Sequence, residues 1–288
     1  MSGTPRIITV HSYRGGTGKS TTVANAALLA TAAGRRVAIV DTDIQTPGLH
    51  RFFGLGRFAA CRSLADYLVG KCEIIEAVGS MPADESGGSL WVVPARSRIN
   101  EINEILTHGY DIGLLQEGFD QLIEELDLDV VFLDTHSGMA NETAVAVAVS
   151  TLLLVITRAD HLTSEARENF VLATRLGDSA TSVVVNMVPE GITADLVCQR
   201  AEQVYQSPVI ATLPYCPEVA ALGTDGLFAR HHPEHEIVAA YRAMTATILA
   251  DLPGPARPGP ARSANRSARR GSADRGLAHG GLRRLGRA

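Results

Sequence analysis

The run Gly15-Gly16-Thr17-Gly18-Lys19-Ser20-Thr21 holds the most concentrated chemistry in this 288-residue chain. Three glycines within four positions let the backbone turn its N–H groups inward, around a space that suits phosphate oxygens. Lys19 supplies a cation for β- and γ-phosphates, and the Ser20 hydroxyl is placed to ligate Mg²⁺. Thr17 and Thr21 complete the cradle. Such a loop works between a strand and a helix, because the helix N-terminus aims its positive end at the same space. Both neighbours are legible: Arg6–His11 (RIITVH) is a short β-branched run, and Lys19–Ala33 is Ala- and Leu-rich, closed by Gly34.

Carboxylates close two further apolar runs. Arg36–Val40 (RVAIV) ends on Asp41-Thr42-Asp43, and Val130–Leu133 (VVFL) runs into Asp134. A D-x-D after a strand also suits helix capping, and only its order behind the glycine loop lends it weight. Asp134 is placed to hold Mg²⁺ through water. His136, two residues on, reads as a structural side chain, with contact to an attacking water as the other reading. Asn186, after Ser182–Val185 (SVVV), either meets a ligand or caps a strand-end turn.

These residues need a scaffold, and the remaining pattern supplies one. Ser63–Val69 has helical spacing with Ser63 as N-cap, and Leu114–Leu126, Glu142–Val149, Thr163–Leu176, Ile192–Tyr205 and Pro233–Leu252 read as helices. Strands are expected at Leu90–Val93, Thr151–Thr157, Ser182–Met187 and Pro208–Leu213, with Thr42–Gly56 as loop and turn. Strands alternating with helices, and apolar without a period of two, predict an α/β fold: three layers, a mostly parallel sheet with helices on both faces.

In its motifs the chain resembles the ParA/MinD family of P-loop ATPases over roughly residues 6–250. Gly15, Gly16, Gly18, Lys19 and Ser20 match the family's deviant loop K-G-G-x-G-K-[ST], with Arg14 where the signature lysine would stand. In the family that lysine contacts phosphate across an ATP-sandwiched dimer. Arg14 keeps the charge and adds a planar fork for phosphate oxygens, and could act in trans like an arginine finger. The resemblance implies Asp41 near the Mg²⁺ shell, Asp43 on the attacking water, Asp134 as the Walker B carboxylate and Gly138 as a pivot beside the γ-phosphate. It also implies Asn186 on the adenine, and Leu213-Pro214-Tyr215-Cys216-Pro217-Glu218-Val219 as a loop bordering the base, with Cys216 where the family has Asp. Lys19, Asp43 and Arg14 would then be catalytic, with ATP and Mg²⁺ as ligands.

The resemblance implies a dimeric ATPase switch, stimulated by a partner protein and positioning a cargo such as a chromosome, plasmid or division machinery. A non-hydrolysing ATP-dependent binding module of the same fold is the alternative. The four cysteines, Cys61, Cys72, Cys198 and Cys216, form no C-x-x-C pair, which argues against a zinc or bridging iron–sulfur site built on one. They read as reduced thiols.

Composition bounds the rest. The chain is 45% hydrophobic and 20% charged, as expected of a soluble globular protein. No apolar run approaches the roughly 18 residues a membrane span needs, and the N-terminus lacks a secretion-signal pattern, so a cytoplasmic protein is expected. The net charge of −5 conceals an asymmetry: nine arginines against Asp274 give residues 256–288 a charge of +8, leaving −13 on residues 1–255. We expect residues 1–252 to form the ATPase domain and residues 253–288 a disordered Pro/Gly/Arg-rich tail. That tail could touch DNA, an anionic membrane, or only solvent.

Overall fold

The computed structural model describes residues 5–54, 62–82, 87–95, 111 and 113–250. In chain order the elements are β1 (Arg6–His11), α1 (Lys19–Ala32), β2 (Arg36–Asp41), α2 (Leu49–Phe52), α3 (Leu64–Leu68), β3 (Gly79–Ser80), β4 (Ser89–Val93), α4 (Gly113–Leu126) and β5 (Val130–Asp134). There follow α5 (Asn141–Val149), β6 (Leu152–Arg158), α6 (Ser164–Thr174), β7 (Ala180–Val188), α7 (Ala194–Tyr205), β8 (Val209–Pro214), α8 (Pro217–Leu222), α9 (Phe228–His231) and α10 (Glu236–Leu249). Short 3₁₀ turns cover Ile74–Ala77 and Ala159–His161.

The strands form one eight-stranded sheet in the order β3-β4-β2-β5-β1-β6-β7-β8. All pairings are parallel except that of β3 with β4. Successive residues of a strand serve opposite faces, and here both faces are covered. Val37 and Ile39 pack with Val130, Phe132 and the alanines of α1, whereas Ala38 and Val40 pack with Val131, Leu133, Leu115 and Phe119 on the other side. That double burial is why these strands read as continuous apolar runs. A further cluster joins Leu153 and Val155 of β6 to Phe170 of α6 and Tyr205 of α7.

The three-layer α/β fold follows the sequence pattern, and three details depart from it. The stretch Thr42–Gly56 contains α2. The segment after Pro214 is not a loop: Pro217 sits in the first turn of α8, where a missing N–H costs nothing. The last helix starts at Glu236 rather than Pro233, because His235 caps it by accepting from Ile237 N at 3.2 Å. Ser63 does cap α3, in a reciprocal capping box with Asp66. The basic tail, residues 253–288, lies outside the described residues.

Candidate functional site

Parallel strands present all their carboxyl ends along one edge, and ligands bind there where the strand order reverses. β1 is such a point: the chain passes from β1 over β5 to β2, and later returns to β6 on the other side of β1. Asp41, Asp134, Asn186 and Pro214 all lie at the carboxyl ends of their strands, and the glycine loop leaves the end of β1. The topology therefore gathers the residues singled out in the sequence onto one edge.

The loop itself is held by conformation and by one lysine. Gly16 and Gly18 have φ of +72° and +83°, the left-handed region that strains residues with a Cβ. Gly18 is also short of space, since a Cβ there would run into Asn186 Nδ2. Gly18 is the N-cap of α1 and makes no side-chain capping bond, which suits an anion at the helix start. Lys19 Nζ donates to Ser12 Oγ at 2.8 Å, and Ser12 Oγ donates to Arg14 O at 2.7 Å. Burial pulls the Lys19 pKa down, while Asp134 and Asp43 push it back up. Beneath it, burial and the Lys19 and His136 charges hold the His11 pKa at about 3, so His11 is neutral.

Asp134 is 2% exposed, and its Oδ1 has no hydrogen-bond partner. Burial lifts its pKa to about 6, against a Ser20 hydrogen bond and the Lys19 charge that lower it, with Asp43 raising it further. A buried carboxylate oxygen without a partner, beside a hydroxyl, is an oxygen donor set that fits a hard divalent cation such as Mg²⁺. Asp41 is engaged differently. Its Oδ1 accepts from Asp43 N at 3.1 Å and its Oδ2 from Leu49 N at 3.3 Å. Burial and the neighbouring Asp134 hold its carboxyl well above the usual range, opposed by those two backbone bonds. Both Asp41 oxygens thus hold the loop that leads into α2.

Asp43 is fixed from two sides. Thr46 donates its N–H to Oδ1 at 2.8 Å and its hydroxyl to Oδ2 at 2.9 Å. His136 Nδ1 lies 3.1 Å from Asp43 Oδ2. The His136 side chain is therefore more than filler: it links the segment after β5 to the segment after β2. Gly138, with φ of +80°, donates its N–H to Ser12 O at 3.0 Å and ties the former segment to the glycine loop.

On the far side of the loop, Asn186 Nδ2 donates to Thr17 O at 2.8 Å and Asn186 Oδ1 accepts from Met187 N at 2.9 Å. A cavity of about 200 Å³ adjoins it, lined among others by Gly18, Thr21, Asn186, Pro214, Cys216 and Tyr241. Met187 and Tyr241 of this lining were not singled out in the sequence. Met187 adjoins Asn186, but no local signal connects Tyr241, on α10, to the glycine loop. Arg14 is exposed, with its guanidinium 5.7 Å from the centre of the Tyr13 ring. Its charge reaches His161 and Glu165 at the start of α6.

Comparison with known proteins agrees with this geometry. Residues 8–227 match the model of the CobQ/CobB/MinD/ParA nucleotide binding domain. An uncharacterised ATP-binding protein of Methanocaldococcus jannaschii is 28% identical over 229 residues, covering 75% of this chain and 78% of that protein. The antiactivator FleN of Pseudomonas aeruginosa is 30% identical over 152 residues, which are 52% of this chain and only 50% of FleN. The structure of the septum site-determining protein MinD complexed with Mg-ADP, from Pyrococcus horikoshii, shares the fold with a TM-score of 0.71 at 22% identity, over 86% of this chain and 98% of that one.

Two outcomes are expected of this site. Gly18→Ala should destabilise the fold by about 1–3 kcal/mol through left-handed strain and collision with Asn186, read as a lowered denaturation midpoint. For Asp134 the folded-state pKa is raised, so its carboxylate costs the metal-free fold stability as pH rises through about 6. Asp134→Asn should accordingly raise thermal stability above about pH 6 and lose that advantage below about pH 4. Mg²⁺ must compete with the same proton, so apparent Mg²⁺ affinity of the unaltered chain should fall up to roughly tenfold per pH unit below 6.

Proposed function

The chain belongs to the CobQ/CobB/MinD/ParA family of nucleotide-binding domains, and from that premise we propose that it is an ATP-driven switch. It binds ATP and Mg²⁺, dimerises around them, and hydrolyses ATP slowly until a partner protein accelerates the reaction. Its task is to position a cellular cargo. The observation that carries the reading is the buried, unpartnered Oδ1 of Asp134 beside Ser20 and Lys19, at the mouth of a glycine loop.

Each role follows from a placement. The N–H groups from Gly15 to Thr21 and the Lys19 ammonium hold the phosphates. Ser20 and Asp134 hold Mg²⁺, with Asp41 behind them, and bound Mg²⁺ supplies charge neutralisation on the phosphate oxygens. Asp43 orients the attacking water, and His136 orients Asp43. Asn186 and Pro214 receive the adenine in the cavity beside Gly18. Arg14, exposed at the edge of its own loop, reaches the phosphates of the second subunit. Catalysis is then positioning plus charge stabilisation.

A second reading has one observation in its favour. Thr46 and His136 occupy three of the roughly four acceptor positions of the Asp43 carboxylate, which leaves about one for a water. A module that binds ATP, docks a partner and does not turn over would keep those bonds closed. Single-turnover measurements, with and without DNA, membrane or partner, separate the two.

No helix among the described residues is long and apolar enough to cross a membrane. The nine arginines of residues 256–288 are the ground on which we place surface attachment, to nucleoid or anionic lipid, in that tail.

Lys19→Ala should reduce Mg²⁺-dependent ATP hydrolysis by about 10²-fold or more; full activity in this variant would overturn the reading. Arg14→Ala should keep ATP binding and lose both ATP-dependent dimerisation, seen by light scattering, and hydrolysis. Deleting residues 256–288 should abolish DNA retention that weakens steeply between low and high salt. Unchanged DNA and liposome binding after that deletion would exclude the tail as the targeting element.

A further inference from the structure

Beside the base cavity, at the edge of the sheet away from the Asp134 carboxylate, three side chains of different chemistry converge. Cys216 Sγ, a carboxylate oxygen of Glu218 and an imidazole nitrogen of His235 lie within 4.8 Å of one another. Cys216 is the N-cap of α8, Glu218 stands in its first turn, and His235 is the N-cap of α10. Cys216 Sγ is already 3.2 Å from Glu218 Oε2. Two helix starts, 19 positions apart in sequence, thus deliver a sulfur, an oxygen and a nitrogen to one point.

Donor atoms this close come within reach of a single ion, whose bonds to sulfur, nitrogen and oxygen of about 2.0–2.3 Å need only small side-chain adjustments to form. We propose that Cys216, Glu218 and His235 form a zinc-type site, taking one divalent transition metal with its fourth position left to water or a ligand. The donor set is the argument. Thiolate and imidazole prefer borderline and soft ions such as Zn²⁺ or Co²⁺ over Mg²⁺. The hydroxyl and carboxylate of Ser20 and Asp134 show the opposite preference. One chain therefore offers two cation sites that differ in hardness.

The present hydrogen bonds describe the metal-free state of such a site. Burial raises the Cys216 thiol pKa, and Glu218 raises it further, while the backbone N–H groups of Val219 and Glu218 lower it. The thiol donates to Glu218, and the metal would take the place of that proton. His235 Nδ1 accepts from Ile237 N at 3.2 Å, a long bond that ligation at Nδ1 would replace. Cys216, Ile237 and Tyr241 line the base cavity, so the ion would brace one of its walls by joining the start of α8 to the start of α10. The site stands independently of ATP binding.

The test uses the reduced, chelator-stripped, nucleotide-free full chain, titrated with Co²⁺. Thiolate-to-cobalt charge-transfer absorption should rise to one equivalent and be erased by Zn²⁺ but not by Mg²⁺. Cys216→Ser should abolish the band, and His235→Gln and Glu218→Gln should each weaken Co²⁺ affinity by at least tenfold. The combined variant Cys61→Ser, Cys72→Ser, Cys198→Ser leaves Cys216 as the one thiol and must retain the band, which keeps the test decisive if Cys216→Ser misfolds. Absence of the band in the unaltered chain, its persistence in Cys216→Ser, or its loss in the combined variant would overturn the site.

Discussion

The arrangement of this molecule depends on two carboxylates that the fold forces together out of water. Asp41 and Asp134 face each other in register at the ends of neighbouring parallel strands, 1% and 2% exposed. Two buried acids side by side repel each other, and neither would stay ionised without compensation. Each is compensated in its own way. Asp41 has both oxygens tied to backbone N–H groups, which fixes the path from β2 into α2. Asp134 has the Ser20 hydroxyl and the Lys19 charge, and keeps one oxygen unpartnered. Burial therefore raises both carboxyl pKa values, and a divalent ion at Asp134 would offset the same repulsion in place of a proton.

That imbalance also explains which features the sequence could show. The glycine loop and the acids at strand ends were legible because backbone geometry confines them: φ at Gly16 and Gly18 strains residues with a Cβ, and parallel strands bring their carboxyl ends to one edge. The strands were legible because both their faces are buried. The cavity beside Gly18 was legible only in part: Asn186, Pro214 and Cys216 stand out along the chain, whereas Met187 and Tyr241 are brought to it by packing. The helix α8 was hidden because Pro214 and Pro217 resemble loop punctuation, although Pro217 stands where a helix tolerates proline. The His136 partner is not legible along the chain, because one histidine has no periodic signature and Asp43 stands 93 residues earlier.

The hydrogen bonds around Asp43 tie the segments that follow β2 and β5 into one polar network. Thr46 belongs to the segment after β2 and His136 to the segment after β5, and the Asp43 carboxylate joins them. Gly138 in turn ties the second segment to Ser12 beneath the glycine loop.

The two departures from the family's motif, Arg14 and Cys216, lie on opposite sides of the loop and have opposite physical character. Arg14 is exposed and carries a fixed charge; arginine in place of lysine there keeps the charge and adds directionality. Cys216 is buried, lies against the base cavity, and would abandon the hydrogen bonding of an aspartate. Taken alone it is only a loss. Taken with Glu218 and His235 it exchanges a carboxylate for a thiol where an acid and an imidazole already stand. Burial beside Glu218 raises the Cys216 pKa and keeps it a neutral thiol in the metal-free protein. It gains most as a thiolate on a metal, where the same neighbours become ligands.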